Sequence, residues 1–339
     1  MKALVTGGGG FLGAAIVRGL RARGDAVRSF SRQTYSTLAA QGVEQVQGDI
    51  ADAAAVAAAM HGCDAVFHVA AKPGIWGEYA DYYRANVTGT INVIAACRAT
   101  AVQRLIYTSS PSVVFDGSDM EGVDESVPYP AHHAAHYPRT KALAEQAVIA
   151  ANDAQLATVS LRPHLIWGPG DNHLLPRMIA RARAGQLRRI GARRNLIDTI
   201  YVDNAADAHL LAADRLASGS PVAGKVYFIS QDEPVPLWEM VNRLLQAAGA
   251  PQVTRAVPLP LAMLLAWGFE TAHRIAKNPA EPRLTRFLVR ELATAHWFNI
   301  AAARRDLGYA PRVSIDQGLA RVQAEFSVGT PLRARSTSR

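Results

Sequence analysis

A chain of 339 residues, 49% hydrophobic and 19% charged, has the balance of a globular protein with a sizeable core, which excludes intrinsic disorder. Two cysteines, Cys63 and Cys97, exclude a disulfide framework and read as small buried residues in a reducing, cytoplasmic setting. The net charge of +8 is dispersed, and its densest cluster, Arg181 to Arg194, lacks interleaved aromatics; it suits an anionic cofactor and an acidic substrate and argues against nucleic acid.

The N-terminal run Met1–Thr6 is too short for a signal peptide and ends in glycines. From there, short β-branched runs alternate with amphipathic stretches. Strands are predicted at Lys2–Thr6, Ala26–Ser31, Val43–Gln47, Ala65–Ala70, Arg104–Ser109 and Thr158–Leu161, and helices at Phe11–Arg23, Ala53–Met60, Tyr82–Ala99 and Thr140–Ala150. That alternation implies an α/β fold, a doubly wound parallel sheet of the Rossmann type with helices on both faces.

Gly168-Pro169-Gly170 breaks the pattern. The expected division is a Rossmann domain over 1–169, rejoined by 196–232 through strands at Thr199–Val202 and Lys225–Ile229. A smaller, mostly helical substrate lobe takes 170–195 and 233–326, and the polar tail 327–339 reads as disordered. The apolar run Val257–Phe269, broken by Pro258, Pro260 and Gly268, is too short to span a bilayer. It reads either as a core helix or as a segment enclosing alkyl chains, and a peripheral contact with a membrane or a pathway enzyme stays open.

Thr6-Gly7-Gly8-Gly9-Gly10-Phe11-Leu12-Gly13 joins the first strand to the first helix. Gly7 permits the tight turn, Gly10 lets the backbone approach a pyrophosphate, and Gly13 lets helix and strand pack closely. With Phe11 and Leu12, these residues turn free N–H groups and the positive helix end toward phosphates. A flexible linker would not sit between a strand and a helix, so the loop marks a dinucleotide site. Binders of NAD place a carboxylate at the end of the second strand; here stand Ser31 and Arg32, both able to donate to a 2′-phosphate. NADP(H) is the expected cofactor, the plainer reading of Arg32 being a surface arginine.

Tyr137-Pro138-Arg139-Thr140-Lys141 opens a helix and sets Tyr137 and Lys141 on one face. An ammonium near a phenol stabilises the phenolate, which makes the pair a usable proton donor or acceptor. Alone, such a pair is usually a solvated helix face.

Taken in order, TGxxGxxG, a serine-bearing strand end and YxxxK resemble the extended short-chain dehydrogenase/reductase superfamily, from about Lys2 to Leu319. The resemblance implies that Tyr137 is the proton donor and that Lys141 binds the nicotinamide ribose and lowers the tyrosine pKa. It implies that Ser110 hydrogen-bonds the reacting oxygen, with Ser109 and Ser112 less favoured, and that Asn86 supports a proton relay to the lysine. Asp49-Ile50 matches the family's adenine-contacting pair, and Ala70-Ala71-Lys72 its loop beside the cofactor.

The acid pair of nucleotide-sugar dehydratases is missing after Thr108, and so is the arginine of the epimerases near Asp198. Leu161-Arg162-Pro163 (with Pro163 a cofactor contact), Ile166–Asp171, Tyr201–Asn204 and His296–Ile300 resemble the 3β-hydroxysteroid dehydrogenase branch. Within it the chain is most similar to bacterial reductases of 2-alkyl-3-oxoalkanoates in olefin synthesis. That similarity implies an NADPH-dependent reductase of a β-keto group on a hydrophobic acid, and a homodimer. The alternative is a 3β-hydroxysteroid or sterol dehydrogenase; an epimerase or a non-catalytic NADP sensor is less favoured, since sensors typically lose the Tyr or Lys. No metal is expected: His132, His133 and His136 lack a completing ligand. His68 reads as a satisfied core histidine, while Trp76, Tyr79, Tyr82 and Tyr83 are either pocket wall or ordinary aromatics.

Overall fold

The structure, a computed structural model, describes residues 1–327. Strands β1 (Lys2–Thr6), β2 (Ala26–Ser31), β3 (Glu44–Gln47), β4 (Ala65–His68) and β5 (Arg104–Thr108) fall where the sequence places them. After β6 (Met120–Val123) and β7 (Ala157–Pro163) come four two-residue strands, β8 (Ile166–Trp167), β9 (Arg189–Ile190), β10 (Leu196–Ile197) and β11 (Ile200–Tyr201). Then follow β12 (Val226–Ile229), β13 (Val235–Pro236), β14 (Ala256–Val257) and β15 (His296–Phe298). Seven strands form the main sheet in the order β12-β7-β5-β4-β1-β2-β3, every pair parallel. Along β1 the side chains alternate between two cores, Ala3 and Val5 facing one and Leu4 the other, as a sheet covered on both faces requires.

Between the strands run α1 (Phe11–Ala22), α2 (Ser36–Ala39), α3 (Ala53–Met60) and α4 (Tyr79–Tyr82). A π-helical turn, Tyr83–Thr88, joins α4 to α5 (Gly89–Ala99), and α6 (His136–Ala150) follows. Later come α7 (Leu174–Arg183), α8 (Val202–Arg215), α9 (Leu237–Ala247), α10 (Leu259–Ile275), α11 (Arg286–Ala293) and α12 (Ile315–Ser327). Helices α1 and α8 pack together on one face of the sheet; α3, α5 and α6 cover the other.

The structure departs from the sequence reading in three places. The expected strand at Thr199–Val202 shrinks to β11, which pairs with β8 off the main sheet, held there by the Trp167 indole donating to Thr199 Oγ1 at 3.1 Å. Of 196–232, only β12 rejoins the sheet as a strand, while β10 belongs to a second sheet ordered β13-β10-β15-β6. That sheet takes β6 from inside the first 169 residues, because Asp119 and Met120 bind the backbone of Ala295 ahead of β15. Finally, Ser327 ends α12, and the rest of the tail lies outside the described residues.

One buried ion pair ties α6 to the sheet. Arg162 of β7 donates to Glu145 of α6, Nη2 to Oε1 at 2.6 Å and Nε to Oε2 at 3.0 Å, and the Tyr129 hydroxyl donates to Oε1 at 2.6 Å. Both side chains are out of water, at 3% and 0% exposure. Removing one partner of such a pair strands the other charge, at a cost of about 3–5 kcal/mol. Glu145→Gln should therefore lower the unfolding free energy by that amount in urea titration. A loss below about 1 kcal/mol, the ordinary worth of an exposed pair, would show that the pair does not anchor the helix.

Candidate active site

The glycine turn is built as a dinucleotide cradle. Gly7 takes a φ of +70°, which other residues reach only with strain, and its carbonyl lies 2.1 Å from where a Cβ on Gly13 would be. Any side chain at Gly13 would push α1 off β1. Gly10 precedes α1 with no side chain capping the first turn, so the backbone N–H groups of that turn point outward unbonded by any cap. At the end of β2, Ser31 Oγ is buried without a hydrogen-bond partner among the described residues, and Arg32 beside it is exposed. Among the described residues, that hydroxyl and the exposed Arg32 guanidinium leave hydrogen-bond donors at the end of β2 for a dinucleotide.

The other expected cofactor residues stand at or just beyond the C-terminal ends of the sheet strands. Ala70 lies against Gly7, and Asp49 accepts from the Ala51 N–H at 2.9 Å and from Arg84 at 2.9 Å. Those bonds, the Ala51 N–H first, hold its carboxyl below the usual range. Ile50 points inward and packs on Gly89. Pro163 ends β7, buried and paired with Ile229.

Behind the cradle, His68 is held between two threonines, Nδ1 at 2.8 Å from Thr6 Oγ1 and Nε2 at 3.0 Å from Thr90 Oγ1. Thr90 already gives its hydrogen to the Asn86 carbonyl, so it must accept from Nε2–H, leaving Nδ1 to accept from Thr6. Burial keeps the ring neutral, its pKa down at about 3. His68 is a satisfied core histidine.

The helix α6 brings Tyr137 to Ser110. Ser110 caps the short 3₁₀ turn Pro111–Val114, its Oγ accepting from the Ser112 N–H at 3.2 Å and lying 2.9 Å from Ser112 Oγ. Burial pushes the Tyr137 phenol up to about 12, and the neighbouring Ser110 hydroxyl opposes the rise. Lys141, one turn further along α6, turns its ammonium to the end of β5. Its ammonium donates to the Thr108 carbonyl at 2.6 Å and lies 4.1 Å from the centroid of the Tyr107 ring, and it is not among the groups that shift Tyr137. Burial pulls Lys141 itself down to about 7, Glu145 opposing.

Asn86 binds both the cofactor-side loop and α6. From the π-helical turn its Oδ1 accepts from the Lys72 N–H at 2.7 Å, while Nδ2 donates to Lys72 O and, at 3.0 Å, to Thr140 Oγ1. It clamps the Ala70–Lys72 loop to α6 one residue short of Lys141, and the lysine is not among its partners. Lys72 turns its own ammonium to Asp81, at 2.9 Å. Tyr79 and Tyr82 form a wall around His136, with ring centroids 5.4 and 6.2 Å away. Trp76 lies farther out, donating to the Asn278 carbonyl.

The sequence reading missed Glu291. It stands one turn after Phe287 on α11, and Phe287 packs edge-on to Phe115, just past the Ser110 turn, at 6.1 Å. Burial alone pushes its carboxyl up to about 7, and its charge raises Tyr137. A carboxylate on the apolar side of an amphipathic helix is the signal that finds it. A surface hollow of about 490 Å³ lined by Cys63, Asp64 and Arg104 lies at the opposite ends of the strands, away from this chemistry.

The 3-beta hydroxysteroid dehydrogenase/isomerase family matches residues 4–261. A 2-alkyl-3-oxoalkanoate reductase of Stenotrophomonas maltophilia is 53% identical over 96% of this chain and 99% of its own length. A human sterol-4-alpha-carboxylate 3-dehydrogenase, decarboxylating, is 35% identical over 96% of this chain and 88% of its own. Among solved structures, the UDP-glucose 4-epimerase of Thermus thermophilus in complex with NAD shares the fold, with a TM-score of 0.73 at 22% identity over 97% of this chain and all of its own. The chain belongs to the 3-beta hydroxysteroid dehydrogenase/isomerase family, and it is an oxidoreductase that uses a nicotinamide dinucleotide. Replacing Tyr137 by Phe keeps the ring and removes the transferable proton. kcat should fall at least about a hundredfold while the dinucleotide binds unchanged in a fluorescence titration. Near-normal kcat would assign the proton to another acid of the cleft, Glu291 first.

Proposed function

We propose that this enzyme reduces the 3-oxo group of a long-chain 2-alkyl-3-oxoalkanoate to the 3-hydroxy acid, with NADPH as cofactor. The observation that carries the reading is the 53% identity, over nearly the whole of both chains, to a reductase named for that substrate. When bound, the nicotinamide supplies a hydride to the carbonyl carbon. Ser110 and Tyr137 hydrogen-bond the carbonyl oxygen, and the Tyr137 phenol gives its proton as that oxygen gains charge. A phenol at about 12 holds its proton at neutral pH, which suits giving it up and not taking one. The resting phenol is thus in the protonated form that reduction uses.

The choice of NADPH rests on the orphaned Ser31 hydroxyl and on Arg32, where an NAD enzyme would carry an acid. Arg32→Ala should raise the Kd for NADPH at least about tenfold, the worth of one charged hydrogen bond, and leave NADH nearly unchanged. Equal losses for both cofactors would reject the assignment.

A sterol dehydrogenase is the second reading, favoured by the human relative at 35% identity. The deciding measurement is kcat/KM across 3-oxo acids of increasing chain length, beside one 3-oxosteroid. Each buried methylene contributes about 0.8 kcal/mol, so kcat/KM should rise severalfold per pair of carbons until the pocket fills. A flat series with the steroid above every acid would replace the first reading by the second.

A further inference from the structure

Helix α10 wears its apolar residues on the outside. Its inner side, Ala262, Ala266 and Glu270, is buried, with Glu270 paired to Arg286 at 2.8 Å. The outer arc carries Leu261, Leu264, Leu265 and Trp267, linked by steps of three and four, and Ile275 lies at the far end of the helix. Leu264 is 61% exposed and Trp267 54%. Water-soluble proteins rarely show so continuous an apolar patch unless something covers it.

The sequence that carries the patch is basic, and its charge points to what covers it. Between Arg255 and Arg290 the chain carries six cations, Arg255, Arg274, Lys277, Arg283, Arg286 and Arg290, against Glu270 and Glu281. Both acids are already paired, Glu270 with Arg286 and Glu281 with Arg177. The segment thus holds a net +4, half of the whole chain's +8, and the stretch 256–269 contains no charge at all. Two copies face to face would bring two such segments together, and like charges oppose that contact. An anionic bilayer meets both features, taking the leucines and the tryptophan into its interface and the cations at its headgroups. No helix among the described residues is long and apolar enough to cross a membrane, so the contact lies in the plane of the surface.

The same helix borders the cleft. Arg274 lies over the Trp76 ring at 5.9 Å, His273 packs edge-on to it at 6.1 Å, and the Arg274 charge acts on His136, next to Tyr137.

We propose that the outer face of α10 docks the enzyme on bilayers rich in acidic phospholipid and sets the mouth of the catalytic cleft at the lipid surface, where a long-chain substrate resides. The docking stands on the surface alone; the substrate clause rests on the reductase reading.

The test is co-sedimentation of the full chain with sucrose-loaded vesicles of phosphatidylcholine, alone or mixed equally with phosphatidylglycerol. The wild type should bind the mixed vesicles at least about tenfold more tightly than the neutral ones. The double variant Leu264→Asp/Trp267→Asp should lose at least about tenfold on the mixed vesicles. Lys277→Glu/Arg283→Glu should lose binding to the mixed vesicles only. Turnover of a short, soluble 3-oxo acid, equal in wild type and variants, shows that the variants fold. A wild type that stays in solution with both vesicles overturns the proposal, as does binding that the Leu264→Asp/Trp267→Asp variant retains. So does self-association in light scattering that this variant abolishes, which would assign the face to a second copy. If no protein turns over any 3-oxo acid, the reductase reading fails while the vesicle result stands.

Discussion

The site depends on holding one helix at one height against the sheet, and the buried Glu145–Arg162 pair does this. Tyr137, Lys141 and Glu145 follow one another at four-residue intervals along α6, so fixing Glu145 fixes the other two. Arg162 is itself held among the Tyr129 and Phe228 rings, which links α6 through β7 to β12 at the sheet edge. A pair of this kind gains little stability over an apolar packing, because taking both ions out of water offsets their attraction. What it supplies is position: the partners match only in one register. It also supplies a field, since Glu145 is the charge that opposes the fall of the Lys141 pKa.

Around that helix the cleft collects groups whose protonation has been moved by burial in opposite directions. The phenol of Tyr137 goes up, the amine of Lys141 comes down, and the carboxyl of Glu291 goes up. Each shift favours the uncharged form, as expected where water is excluded and partners are few. At neutral pH Lys141 and Glu291 are each poised between their charged and uncharged forms, while Tyr137 holds its proton.

Much of this was legible in the sequence wherever the signal was local. The strand β1, the glycine turn and α1 are contiguous, and the chain's own glycines dictate their geometry, so reading and structure agree there. Tyr137 and Lys141 share a helix face for the same reason. Long-range pairings were not legible. Thr199–Val202 has the β-branched look of a sheet strand, yet Trp167 draws it aside, and β6 joins β15 across more than half the chain. The direction of the Lys141 ammonium follows from the Thr108 carbonyl and the Tyr107 ring, which a spacing rule does not see. Glu291 acts on Tyr137 across the chain, from a helix whose Phe287 docks on Phe115.

The pairing of β6 with β15 has a further consequence for how this architecture diversifies. The chain passes from the main sheet to the second sheet at β6, returns at β7, leaves again at β10, returns at β12 and leaves once more at β13. The lobe is laced to the nucleotide-binding half by several threads, not hung from one. A fold joined by a single linker can trade its substrate half as a cassette, by one recombination event. Here such an exchange would have to replace three separate stretches together, so new specificities in this architecture are expected to arise by point substitution within the lobe and seldom by shuffling.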